Sequence, residues 1–246
     1  MPRSEVQIPT SDGVSNGTLH VPDGEGPWPG VLVYTDIFGP RDTFLAMGDR
    51  LAGLGYVALI PDVYYREGGY PPFDPQTAFS DEQERNRLFG LAGTLTNERV
   101  IADAGAYADF LLARPEVRGS AIGAPGYCRG GRLTLVAAGG LGDKLAAAAS
   151  FHAAGVAVPG DPNSPHLTVG QTQAAVLVAG SIEDRGFTAE HAALLDDTLS
   201  AAGVPHTVET WPGHHGFAVP DQQVYDEELA QRHWGALRDL YAERLG

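Results

Sequence analysis

Cys128 is the only cysteine in a chain of 246 residues. It stands in Gly126-Tyr127-Cys128-Arg129-Gly130-Gly131, directly after an apolar run and directly before a stretch of helical character. G-x-C-x-G-G between a strand and a helix is the pattern of a nucleophile elbow, with a thiol where most such turns carry a hydroxyl. The chemistry it suggests is covalent catalysis by sulfur. The glycines have a steric reason. The turn brings the residues two before and two after the nucleophile together, so side chains at Gly126 or Gly130 would collide. Gly131 lets the helix lie close on the sheet. A helix N-terminus beside the sulfur favours thiolate over thiol. The bland alternative is a small buried apolar side chain, the commonest fate of a lone cysteine.

Two further residues complete a possible relay. Asp184, in Gly180-Ser-Ile-Glu-Asp184, and His215, in Pro212-Gly213-His214-His215-Gly216-Phe217, each follow an apolar run. His215 is expected to take the thiol proton and later activate water, and Asp184 to orient and stabilise the imidazolium. Asp184 could instead be a helix-start charge. Glu183 competes with it for the acid role. His214 reads as a solvated loop residue. The His214-His215 pair is not read as a metal site: neighbouring side chains on an extended segment diverge, and no metal-ligand spacing surrounds them.

Such residues need a scaffold whose strands end at one rim. Apolar runs at 30–34, 56–60, 121–126, 145–151, 174–179 and 207–211 read as buried strands. Segments 42–54, 97–114, 129–138, 188–202 and 221–245 carry helical spacing. Strands alternating with helices imply right-handed crossovers and a mostly parallel sheet with helices on both faces. Residues 5–9 and 17–21 are expected to pair as an antiparallel N-terminal edge, and 68–80 to form a long loop. No linker or repeat interrupts the chain, so residues 1–246 read as a single domain. Ligands of such sheets bind at the carboxyl ends of the strands. Chemistry is therefore expected in the loops after Tyr34, Ile60, Tyr127, Phe151, Ala179 and Trp211.

Taken together, these residues resemble the dienelactone hydrolase family of α/β-hydrolases. The motifs are Asp36-Ile37-Phe38-Gly39, Gly55-Tyr56-Val57, Pro61-Asp62-Val63-Tyr64, the G-Y-C-x-G-G elbow and the Pro-Gly-His-His-Gly-Phe turn, and the likeness runs from about Pro29 to the C-terminus. The chain order nucleophile, acid, histidine agrees. The resemblance implies an α/β-hydrolase fold and a Cys-His-Asp triad of Cys128, His215 and Asp184. It also implies an oxyanion hole from the backbone N–H groups of Ile37 and Arg129. By the same resemblance Asp36, where dienelactone-cleaving members carry Glu, is the acid touching the resting thiol. Those members hold a substrate carboxylate with two arginines. One is matched by Arg85, which could equally be a solvated helix charge. The other should stand four residues after the histidine, where this chain has Val219. Losing half of an anion clamp removes about 1.5–3 kcal/mol. Among the aromatics near the strand ends, Phe38 and Tyr64 are expected to touch substrate.

The expected reaction is hydrolysis of a lactone or activated ester through a thioester, of the carboxymethylenebutenolidase type, with no cofactor and no metal. A small-molecule binding protein that kept the hydrolase fold is the alternative. A peroxide-reactive sensor thiol is a third reading, weakened by the lack of a resolving cysteine. With 16 basic and 31 acidic residues, a net charge of −15 argues against nucleic acid and against anionic membranes. A single cysteine excludes an internal disulfide. The N-terminus lacks the apolar core of a leader, and no apolar stretch reaches membrane-spanning length. A cytoplasmic monomer or homodimer is expected.

Overall fold

Eight strands join one sheet in the computed structural model, which describes residues 3–246. Met1 and Pro2, part of the N-terminal stretch read as lacking a leader, lie outside the described residues. The strands are β1 (Arg3–Thr10), β2 (Gly13–His20), β3 (Trp28–Leu32), β4 (Val57–Pro61), β5 (Val117–Tyr127), β6 (Leu145–Phe151), β7 (Ala175–Ser181) and β8 (His206–Trp211). Their order across the sheet is β1-β2-β4-β3-β5-β6-β7-β8. β1 and β2 pair antiparallel, as do β2 and β4, while β3 through β8 run parallel. This is the α/β-hydrolase arrangement, with the antiparallel edge where it was expected.

Seven α-helices are present among the described residues: α1 (Asp42–Gly53), α2 (Glu82–Gly93), α3 (Asn97–Leu112), α4 (Arg129–Ala138), α5 (His166–Val169), α6 (Ala189–Ala201) and α7 (Glu227–Arg244). Successive strand residues point to opposite faces, and the two faces feed two cores. Leu32, Tyr34, Leu59 and Val178 meet Ala104, Tyr107 and Leu111 of α3, Leu133 of α4 and Leu195 of α6. Val31, Val33, Ile60 and Phe151 meet Phe44 and Met47 of α1 and Trp234 and Leu237 of α7. No helix among the described residues is long and apolar enough to cross a membrane.

Three details depart from the sequence reading. β5 begins at Val117 rather than near residue 121, because Val117 and Arg118 already pair with Trp28 and Pro29. The last helix begins at Glu227 rather than at 221. Asp226 caps it by accepting from Leu229 N at 3.0 Å, and tight turns over 219–225 precede it. Helix α2 has no counterpart among the helices read from sequence, since only Leu88 and Ala92 of it are buried. These two pack on Ile37, Phe38, Phe73 and Ala78 in a small third core beside the strand ends.

Candidate active site

The elbow is built by the collisions its glycines avoid. A Cβ on Gly126 would strike the carbonyl of Gly130, and one on Gly130 would strike the carbonyls of Tyr34 and Thr35. A Cβ on Gly131 would lie 2.6 Å from Ser150 Oγ and 2.8 Å from Ala153 Cβ, so α4 rests directly on β6. Cys128 itself sits at φ +52°, ψ −116°, outside the regions a side chain favours. Such strain persists only where the surroundings enforce it. Here Cys128 N donates to Phe151 O at 3.0 Å, and Gly131 N and Arg132 N donate to Cys128 O. The sulfur is half-buried at the N-terminus of α4.

His215 reaches the thiol from the loop after β8, its Nε2 lying 3.0 Å from Sγ. On its other side Nδ1 donates to Asp184 Oδ2 at 2.6 Å. Asp184 is itself fixed by Gly186 N at 2.8 Å and Ser181 Oγ at 3.1 Å. A backbone bond from Ile182 N to Gly213 O at 3.0 Å ties the acid loop to the histidine loop. Three side chains from the ends of β5, β7 and β8 thus form one continuous line. Glu183 and His214, the neighbours weighed for the same roles, are exposed. Glu183 takes φ +56°, which swings the chain so that Asp184 faces inward.

The electrostatics follow this line. Burial by itself would depress His215. The hydrogen bonds to Asp184 and Cys128, with the charges of both, outweigh it and hold the imidazolium up to about 10. Burial pushes Asp184 upward, but the bonds from His215 and Gly186 N win and leave its carboxyl below the usual range.

The Asp36–Arg41 loop lies against the elbow through a bridge between Tyr34 and Gly126. Tyr64, expected at the substrate, is 1% exposed and donates its hydroxyl to Ile37 O at 2.8 Å. That bond holds the Ile37–Phe38 peptide. Phe38 is buried, edge-on to Phe79 at 5.4 Å. Asp36 was expected to touch the thiol. Among the described residues no hydrogen bond joins it to Cys128. Its oxygens accept from Arg41 at 2.7 and 2.8 Å, from Phe38 N at 3.1 Å and from Gln222 at 3.3 Å. The shorter aspartate side chain ends in a guanidinium that Asp221 also grips, at 2.6 and 2.8 Å. Arg41 therefore links the Ile37 loop to the loop carrying His215. Burial pushes the Asp36 carboxyl up against the pull of Arg41.

Arg85 lies on α2, partly exposed, with Nη1 donating to Phe79 O at 3.2 Å. Val219 is fully buried beside Trp211 and Phe217. Arg41, Asp221 and Gln222 carried no sequence signal, because their meeting joins segments about 180 positions apart. His152 also went unremarked, although it follows Phe151 at a strand end already expected to bear chemistry. It is fully buried at φ +40°, neither ring nitrogen has a partner among the described residues, and its ring centre lies 5.6 Å from that of His215. Burial, then the His215 charge, hold His152 neutral. No group of three or more His, Cys, Asp or Glu among the described residues could hold a metal ion.

The model of the dienelactone hydrolase family matches residues 16–245. A Synechocystis sp. protein provisionally named carboxymethylenebutenolidase is 27% identical over 248 residues, covering 98% of this chain and 96% of its own. A carboxymethylenebutenolidase of Pseudomonas putida is 31% identical over 140 residues, covering 56% of this chain and 57% of its own. A crystal structure from Klebsiella pneumoniae, provisionally called a dienelactone hydrolase, superposes with a TM-score of 0.82 over 98% of both chains at 24% identity, a likeness of fold.

Proposed function

This chain belongs to the dienelactone hydrolase family, and from that premise we propose that it hydrolyses lactones or activated esters through a thioester on Cys128. The observation that carries the proposal is the single imidazole lying 3.0 Å from the thiol and 2.6 Å from a fixed carboxylate. His215 takes the thiol proton, and the resulting pair is held by Asp184. The thiolate adds to the substrate carbonyl. The N–H groups of Ile37 and Arg129 receive the oxyanion, the first from the residue whose carbonyl Tyr64 holds, the second at the start of α4. The tetrahedral intermediate collapses with cleavage of the carbon–oxygen bond, and the imidazolium returns its proton to the departing oxygen. Water, deprotonated by His215, then attacks the thioester and releases the carboxylic acid and the free thiol.

Sulfur selects the substrate. A thiolate leaves a tetrahedral carbon more readily than a simple alkoxide, so an alkyl ester tends to revert. Enolates and phenolates, stabilised by conjugation, leave forward. The substrate class is therefore an enol lactone or aryl ester, in keeping with relatives named carboxymethylenebutenolidase. Turnover of p-nitrophenyl acetate tests this. Cys128→Ala is expected to lower kcat roughly a thousandfold or more, and intact-mass spectrometry of rapidly quenched wild type to show one added acetyl on Cys128. Unchanged turnover in Cys128→Ala defeats the proposal.

A further inference from the structure

Arg129 and Arg132 share a cavity of about 490 Å³ on the α4 side of the elbow, bordered by Thr96 and Asn97 of the α3 start and by Gly155 and Asn163. Neither guanidinium has a carboxylate partner among the described residues. Arg132 donates only to neutral oxygens: Asn163 O at 2.6 Å, Gly155 O at 3.3 Å and Asn97 Oδ1 at 3.4 Å. Arg129 gives one bond to Ala92 O at 2.8 Å, and its Nε is buried with no acceptor. Asp161 also borders the cavity, but its Oδ1 accepts from Asn163 N at 2.9 Å and it forms no ion pair with either arginine. In a chain of net charge −15, two adjacent cations with no ion pair to either are unusual. Arg41, by contrast, is neutralised by two carboxylates. The start of α3, a helix of 16 residues, adds partial positive charge to the same space.

We infer that Arg129 and Arg132 form an anion-binding subsite that receives an oxyanion group, carboxylate or phosphate, carried by the substrate of Cys128. The assignment to a substrate rests on the proposed function; the anion site itself does not. The position four residues after His215 supplies no cation, since Val219 is buried in the core. The charge lies instead on the elbow helix, one and four residues after the thiol. Guanidinium forks match the paired oxygens of either group. Burial and the neighbouring Arg129 charge disfavour the protonated form of Arg132 more than the Asp161 charge favours it, and an entering anion would offset the Arg129 repulsion.

The test is calorimetric titration of the whole protein with glutarate and, separately, inorganic phosphate at fixed ionic strength. Saturable binding is expected, weakened about tenfold or more in Arg132→Gln. Asn97→Asp keeps the brace to Arg132 while neutralising its charge, and is expected to weaken binding similarly even if Arg132→Gln fails to fold. Tighter glutarate binding identifies a carboxylate-bearing substrate, and tighter phosphate binding a phosphate-bearing one. In the kinetic arm, the ratio of kcat/KM for p-nitrophenyl hydrogen glutarate to that for p-nitrophenyl butyrate is expected to fall about tenfold or more in Asn97→Asp if glutarate binds the tighter. No saturable binding of either anion, or binding indifferent to both variants, overturns the subsite. Failure of wild type to hydrolyse either ester defeats the proposed function instead, and leaves the binding result standing.

Discussion

Arg41→Met removes the only guanidinium from a carboxylate that water barely reaches. The Asp36 side chain is 3% exposed, with both oxygens on Arg41 at 2.7 and 2.8 Å. Breaking a buried pair from one side costs about 3–5 kcal/mol. In a chain of this length each kcal/mol moves Tm by about 2–4 °C, so the loss is roughly 6–20 °C. Burial already pushes the Asp36 carboxyl up, and without Arg41 it rises further. A raised folded-state value means that stability falls as pH climbs through it. The deficit of Arg41→Met is therefore expected to be larger at pH 8 than at pH 5. Asp36→Asn/Arg41→Met, which removes both charges, should recover much of the Tm and lose that pH dependence. Catalysis gives a second readout. Arg41 touches neither the thiol nor the imidazole, so kcat should fall through the displaced Ile37 peptide while iodoacetamide alkylates Cys128 as fast as in wild type. A Tm deficit under about 2 °C at pH 8, or one equal at both pH values, refutes the reasoning. Slowed alkylation in Asp36→Asn would restore the acid to the thiol-contacting role implied by the family resemblance.

Four further outcomes are expected. Asp184→Asn removes a short charge-assisted bond, worth about 1.5–3 kcal/mol, and should lower kcat about 10- to 150-fold with KM little changed; stopped-flow release of p-nitrophenol measures it. His215 is held up to about 10, above its unfolded value, so its contribution to stability is complete below about pH 6.5 and lost as pH rises toward 10. Thermal unfolding across that window should therefore fall more steeply in wild type than in His215→Gln. Gly130→Ala drives a methyl into the carbonyls of Tyr34 and Thr35 and should cost about 3 kcal/mol or more, seen as insoluble protein or a much lower urea midpoint. Gly105→Ala, on α3 with open space around it, should instead stabilise by about 0.4–1 kcal/mol in the same urea titration.

Local pattern carried the scaffold. Apolar runs separated by helical stripes identified the strands and most helices, because burial on both faces of a parallel sheet leaves a period the chain itself displays. The elbow was legible because Gly126, Cys128, Gly130 and Gly131 stand together in one strand-turn-helix stretch, although the atoms that Gly130 and Gly131 avoid come from the neighbouring strand ends. Where the burial signal was thin it failed. Helix α2 buries two residues and showed no stripe, and the turns over 219–225 looked like the first turn of α7.

The site divides along the same line. Residue types and chain order sufficed to nominate Cys128, Asp184 and His215, since each lies at the end of its own strand. That Asp184 and not Glu183 bonds His215 goes with a backbone φ of +56° at Glu183 that no composition reveals. Only the folded chain could carry Asp221 across to the guanidinium that Asp36 holds, and bring Arg129 and Arg132 to one cavity with no carboxylate in an ion pair with either. Charge pairing depends on distances between segments remote in sequence, and those distances exist only after the sheet has set which loops are neighbours.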